Sequence, residues 1–188
     1  VKRRLGFISC GAALLLAISG ATTATTLARM SLAHMSQIAP LIVRATCLGN
    51  STGWDAGEIW TLTTFTVQEV WRGSSSAQIT VRLLGGRVGN LTSSVSGIPR
   101  FRSGEEVVLF LEPTPRGDFT VLSWEQGTFR VRRDMATGQD TATQDTASFA
   151  TFDSATHRYE PTGIRNLPLE TFHARVDAAL RAGAGGKQ

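Results

Sequence analysis

Between positions 41 and 133 apolar and polar residues alternate over short runs, the pattern of strands that bury one face. The longest run is 59–73, which is dense in β-branched and aromatic residues and ends at Gly73. Such residues suit a pleated, half-buried surface. Its odd positions Ile59, Phe65, Val67 and Trp71 are apolar, while its even positions start apolar at Trp60 and Leu62 and turn polar at Thr64, Thr66 and Gln68. That switch predicts a strand whose buried face changes as it bends around a small barrel.

The neighbouring runs follow the same logic. A first strand is predicted over 41–48, followed by a turn in the Gly-Asn-Ser-Thr-Gly cluster at 49–53. The run 78–84 has the cleanest alternation, with Ile79, Val81 and Leu83 inward and Gln78, Thr80 and Arg82 outward. The Gly-rich stretch 85–89 predicts a turn or bulge with positive φ. A long polar connection, 90–104, leads to the nearly all-apolar strand 106–111, expected to be the deepest. A turn at 113–118 and a last pair of strands, 119–124 and 127–133, complete the β region, with Phe119, Val121, Phe129 and Val131 as core candidates.

Helical spacing occurs at both ends of this region. Leu27, Met30, Leu32, Met35 and Ile38 predict a short helix over 26–39, capped by Thr26 or Ser31 and ended by Pro40. Leu169, Phe172, Val176, Ala179 and Leu180 form one stripe of a terminal helix over 169–182. Between them, 135–151 is rich in Thr, Ala, Gln and Asp without periodicity and predicts an irregular, mobile excursion.

With 188 residues, 41% hydrophobic and 18% charged, the chain has room for one domain with a core and a tail. Segment 1–24 has the pattern of a secretory signal: Lys2, Arg3 and Arg4, then an apolar run over 5–18 too short to span a bilayer, then small residues suited to cleavage. The expected divisions are a signal at 1–24, an OB-like barrel at 25–133, an irregular segment at 134–167 and a terminal helix with a frayed tail at 168–188. An uncleaved N-terminal anchor is the alternative. The signal changes the reading of charge and of cysteine. Of 19 basic residues three fall within it, and the 16 that remain face 15 acidic ones, so the +4 of the whole chain becomes +1. That balance argues against broad electrostatic binding of nucleic acid. Cys10 also falls within it, and the remaining Cys47, among small and apolar neighbours, reads as a buried inert thiol.

The sequence has no His-Glu-x-x-His, paired-Cys or phosphate-loop pattern, and its one Gly-x-Ser-x-Gly, at 49–53, is the turn cluster between two predicted strands, without the helix that a nucleophile elbow leads into. His34, His157 and His173 lie far apart, and no metal or cofactor is expected. Glu105, Glu106 and Asp118 are a conceivable carboxylate set, and Arg130, Arg132 and Arg133 with Arg100 and Arg102 a conceivable basic patch near Trp124. Both read more simply as solvated strand ends and a solvated sheet face.

The succession 39–46, the long strand ending in 67–73, the strand into Gly85 and Gly86, then 99–111 and 126–131, resembles a group of exported bacterial proteins of unassigned function. More distantly it is similar to the netrin-like domains and the tissue inhibitors of metalloproteinases. The resemblance covers about residues 30–133. It implies a mainly β fold: a five- to six-stranded OB-like barrel, closed or partly open, with a short N-terminal helix and a C-terminal helix. The inhibitors chelate a target's zinc through a disulfide-bonded N-terminal Cys. That feature has no counterpart once the signal is removed, so the zinc-chelating mechanism is not implied. The expectation is an exported, non-enzymatic binding domain, periplasmic or secreted, with a protein partner met through Arg100, Phe101 and Arg102 of the long loop. The alternatives are a protease inhibitor acting by loop insertion and an oligonucleotide- or oligosaccharide-binding module.

Overall fold

The computed structural model describes residues 27–144, 151–153, 157–160 and 163–185. The predicted signal segment, with Cys10, lies outside them. The fold is mainly β, with a short helix near the N-terminus and a longer one at the C-terminus. Among the described residues no helix is long and apolar enough to cross a membrane.

Strand β1 (Leu27–Ala28) precedes helix α1 (Leu32–Ile38). The Ser31 hydroxyl caps α1 by accepting from the His34 N–H at 3.1 Å, and Ala39, extended ahead of Pro40, ends it. Then come β2 (Leu41–Asp55), β3 (Glu58–Arg72), β4 (Gln78–Leu84), the hairpin β5 (Gly86–Val88) and β6 (Leu91–Ser93), β7 (Glu106–Pro113) and β8 (Phe119–Val121). A 3-10 turn at Trp124–Gly127 leads into β9 (Thr128–Arg133) and β10 (Asp140–Gln144). Short strands β11 (Thr151–Asp153), β12 (Arg158–Glu160) and β13 (Leu167–Pro168) precede helix α2 (Leu169–Gly185).

The strand count exceeds the predicted five or six. The main sheet alone has eight strands in the order β13-β10-β9-β7-β2-β3-β4-β8. In addition, β8 pairs antiparallel with β7 at Leu111–Val121, Glu112–Thr120 and Pro113–Phe119, and parallel with β4 at Val81–Phe119. The pairings of β7, β2, β3, β4 and β8 therefore return to β7.

Three expectations are corrected. The cluster 49–53 is no turn: β2 runs through it and pairs residue by residue with β3, and the chain reverses at Ala56 (φ 51°) and Gly57 (φ 84°). Two consecutive positive φ values give the tight turn whose twist matches the flanking strands. Second, the buried face of β3 does not change within 59–67 as its composition suggests; it changes only past the register shifts that follow, where Trp71 packs on the other side of the sheet beside Phe172. Ile59, Thr61, Thr63 and Phe65 all point inward, and the two threonines are tolerated there because their hydroxyls donate to Gly85 O and Asn50 Oδ1, each at 2.6 Å. Third, the segment predicted to be irregular contains β10, paired antiparallel with β9 from Asp140–Arg133 to Gln144–Phe129.

Two apolar cores share β2 and β7. Leu41, Val43, Ala45 and Cys47 of β2 and Val107, Leu109 and Leu111 of β7 face the first, together with Phe65, Ile79, Val81, Leu83, Ile98, Phe101 and Val121. Ile42, Val108 and Phe110 face the second, with Met35, Phe129, Val131, Leu169, Phe172 and Val176. Burial of both faces explains why β7 reads as continuous apolar sequence. Rings of Phe110, Phe129 and Phe172 run in contact from sheet to α2, with centroids 5.5 and 4.6 Å apart.

Arginines bind the strands from outside. Arg44 pairs with Glu106, with Glu69 at 2.9 Å and with Asp140 at 3.6 Å, so one guanidinium spans β7, β3 and β10. Arg82 pairs with Asp55 at 2.7 Å and Asp118 at 2.8 Å, and Arg116 with Asp55 at 2.9 Å, tying the tip of the β2–β3 hairpin to the turn before β8. Burial raises the Asp118 carboxyl, but hydrogen bonds from Thr114 and Arg82 and the charge of Arg82 outweigh it and hold the group below the usual range. Its stabilising contribution is therefore complete above the unfolded-chain value of about 3.9 and is lost as pH falls through the lower folded value. Asp118→Asn should cost about 1–3 kcal/mol at neutral pH. Urea midpoints measured from neutral pH into acid should show that difference shrinking toward zero. A difference independent of pH contradicts the assignment.

Candidate binding cleft

A cleft of about 370 Å³ opens over the distal half of the β2–β3 hairpin. One wall is the inward face of that hairpin: Asn50 and Thr52 on β2, Thr61 and Thr63 on β3. The other is the β5–β6 hairpin with the loop after it, contributing Arg87, Thr92, Ser94 and Arg100. β5 lies close on the hairpin because residue 86 is Gly. A Cβ there would meet Thr61 Oγ1 at 2.6 Å and Thr52 Cγ2 at 2.9 Å, and its φ of 146° is itself costly for other residues.

Hydrogen bonds fix the walls. Thr52 Oγ1 donates to Arg87 O at 2.6 Å, Thr61 Oγ1 to Gly85 O, and Asn50 Nδ2 to Phe101 O at 2.9 Å. The hydroxyl protons of Thr52, Thr61 and Thr63 are thus committed to the protein, and each hydroxyl offers a ligand its lone pairs. The charged donors left for a ligand are on Arg87 and Arg100. Arg87 gives Nε to Gly89 O at 3.1 Å and Arg100 gives Nη2 to Ser93 O at 3.3 Å. Neither meets a carboxylate among the described residues, whereas Arg44, Arg82, Arg116, Arg130 and Arg133 all do.

The three residues predicted as contacts separate. Arg100 and Arg102 are exposed, and Arg100 lines the cleft. Phe101 is only 6% exposed and belongs to the first core, its ring edge-on to Phe65 at 5.0 Å and 82°. It is corrected here from a surface contact to a plug, which the polar composition of its loop concealed. Ile98 of the same loop is buried beside it. Arg130 covers the plug, its guanidinium 5.8 Å from the Phe101 centroid while it pairs with Glu105 and donates to Arg100 O at 3.1 Å.

Other sequence candidates do not converge. Glu105, Glu106 and Asp118 each face a different arginine. The Arg130–Arg133 stretch is partly neutralised by Glu105 and Asp140. His173 stacks on Trp71 at 4.2 Å and 14°, and no group of three or more His, Cys, Asp or Glu suited to a metal occurs among the described residues. Cys47 is buried; burial first, then the charge of Glu105, pushes its thiol up. Sequence reading missed Asn50, Thr52, Thr61, Thr63 and Arg87. The available signal was Thr61 and Thr63 at odd positions of β3, where alternation calls for apolar residues. A scan against known protein families finds no match, and a search of curated proteins finds none either.

Proposed function

We propose that this chain is an exported, non-catalytic binding domain on an OB-like barrel, and that its ligand is another protein. The barrel reading is supported by the returning pairings of β7, β2, β3, β4 and β8, since five strands joined in a ring are what such a barrel requires. The similarity to netrin-like domains read from the sequence agrees with it. Export rests on the pattern of 1–24.

The observation that carries the binding reading is what surrounds the cleft. Trp54, 55% exposed, follows Thr52 on the same face of β2, and Leu91, 58% exposed, adjoins Thr92. Large apolar side chains held out beside unneutralised arginines are the composition of a protein-binding surface, where Trp and Arg dominate the energetics.

Affinity capture from the periplasm or medium of the source cells tests it, comparing wild type with Trp54→Ala. Wild type should retain a defined protein, and the variant, folded equally well by its urea midpoint, should lose about 2 kcal/mol of affinity for it. No retained protein, or equal retention by the variant, contradicts the proposal.

A further inference from the structure

The β2–β3 hairpin outruns the rest of the sheet. β2 pairs with β7 only from Leu41 to Thr46, while its pairing with β3 continues to Asp55. The last backbone bonds on its other edge are Cys47 N–H to Glu105 O and Gly104 N–H to Cys47 O, with Ser103 Oγ reaching Leu48 O; beyond them β2 bonds the loop and β5 only through side chains, Asn50 Nδ2 to Phe101 O and Thr52 Oγ1 to Arg87 O. From Asn50 to Trp54 every residue is exposed.

The outward backbone groups of this edge can be assigned. Ile59 O accepts from Gly85 N–H at 2.7 Å, so Ile59 turns its backbone groups away from β2. Its partner Trp54 must then turn its own groups away from β3. The register is regular from Gly49 to Asp55, so Thr52 and Asn50 do the same. Three N–H and three C=O groups thus line an open edge, and none has a backbone partner among the described residues. Edges usually carry Lys, Pro or a covering element against pairing. This one has Gly49 and Gly53, each with open space where a Cβ would stand, and no charge before Asp55.

We infer that this edge receives an extended, acidic segment of the partner protein as an added strand. The inference rests on the protein-binding reading above and names its chemistry. Two of the three residues that present these outward groups, Asn50 and Thr52, line the cleft with their side chains, so alternate side chains of an added strand point toward Arg87 and Arg100. Those guanidinium groups lack carboxylates among the described residues, which is the charge complementarity that selects an acidic strand over a second copy of this chain.

The probes are short capped peptides of alternating Glu and Val, the same peptides with Lys for Glu, and Glu peptides N-methylated on alternate residues in either phase. The Glu peptide should bind at least about tenfold more tightly than the Lys peptide. N-methylation in one phase should abolish binding and in the other leave it. Amide resonances of Asn50, Thr52 and Trp54 should shift on binding. Thr52→Pro removes only an outward N–H from the ladder and should abolish binding, while Thr52→Val, which loses the bond to Arg87 O but keeps the N–H, should bind. Binding indifferent to N-methylation phase or to Thr52→Pro overturns the strand addition. Absence of binding by every peptide also overturns it, as does a dimer in solution that protects the amides of residues 50–54, which gives the edge to a second copy. Capture separates the two levels: a partner retained equally by wild type and Thr52→Pro refutes this inference alone, and a wild type that retains nothing refutes the binding reading itself.

Discussion

Phe101→Ala should destabilise the protein by about 3–5 kcal/mol, the usual cost of emptying a buried aromatic site. The residue sits in a loop with arginines on either side, yet its ring fills the first core against Phe65 and is roofed by Arg130. Truncation removes the edge-to-face contact, worth about 0.5–1.5 kcal/mol beyond area burial, and leaves a void beside Phe65 that a loop held by Asn50, Glu105 and Ser93 cannot readily close. Arg102→Ala, at an exposed position, should stay within about 0.5 kcal/mol of wild type. Urea denaturation of the two variants checks the contrast, and equal midpoints would remove Phe101 from the core. A practical consequence follows for binding studies. Loss of capture on replacing Phe101 reports loss of fold, so the surface has to be probed at Trp54, Arg87 and Arg100.

The elements legible in the sequence are those whose side chains decide their own placement. β4 shows its inward Ile79, Val81 and Leu83 directly, β7 shows burial on both faces, and α2 shows one apolar stripe. Pairing overrides local composition elsewhere. Residues 49–53 have turn chemistry, but β3 is long enough to hold them extended, and the reversal is left to Ala56 and Gly57. β10 has Ala142 as its sole apolar residue; it is held by backbone pairing to β9 and by polar bonds such as Thr141 Oγ1 to Arg132 O at 3.1 Å and Gln144 N–H to Ile164 O at 2.8 Å. Hydrophobic periodicity is blind to both. The cleft is hidden for the same reason. Its threonines occupy inward positions because carbonyl and amide acceptors meet them there, and those acceptors come from residues 24 and 13 positions away.

A fragment ending at Arg133, the boundary that composition suggests for the barrel, should not hold the native fold. It would lack β10, β13 and α2, and with them the cover of the second core. Ile42, Val108 and Phe110, now fully buried, would lose Leu169, Phe172 and Val176, and Phe129 would lose the ring 4.6 Å away. Burial of three such side chains contributes on the order of 5–9 kcal/mol, which is the size of the whole net stability of most domains, about 5–15 kcal/mol. The strands exposed would be β2 and β7, the two that also build the first core, so damage to the second layer reaches that core through shared backbone. The fragment should bind a hydrophobic dye and unfold without a cooperative transition, while the chain through Gly185 unfolds cooperatively. If the fragment instead melts cooperatively near the temperature of the longer chain, the first core is self-sufficient and the C-terminal layer an appendage. The expected failure means that α2 and β10 are structural members, and that the open edge of β2 is held out by a scaffold two layers deep.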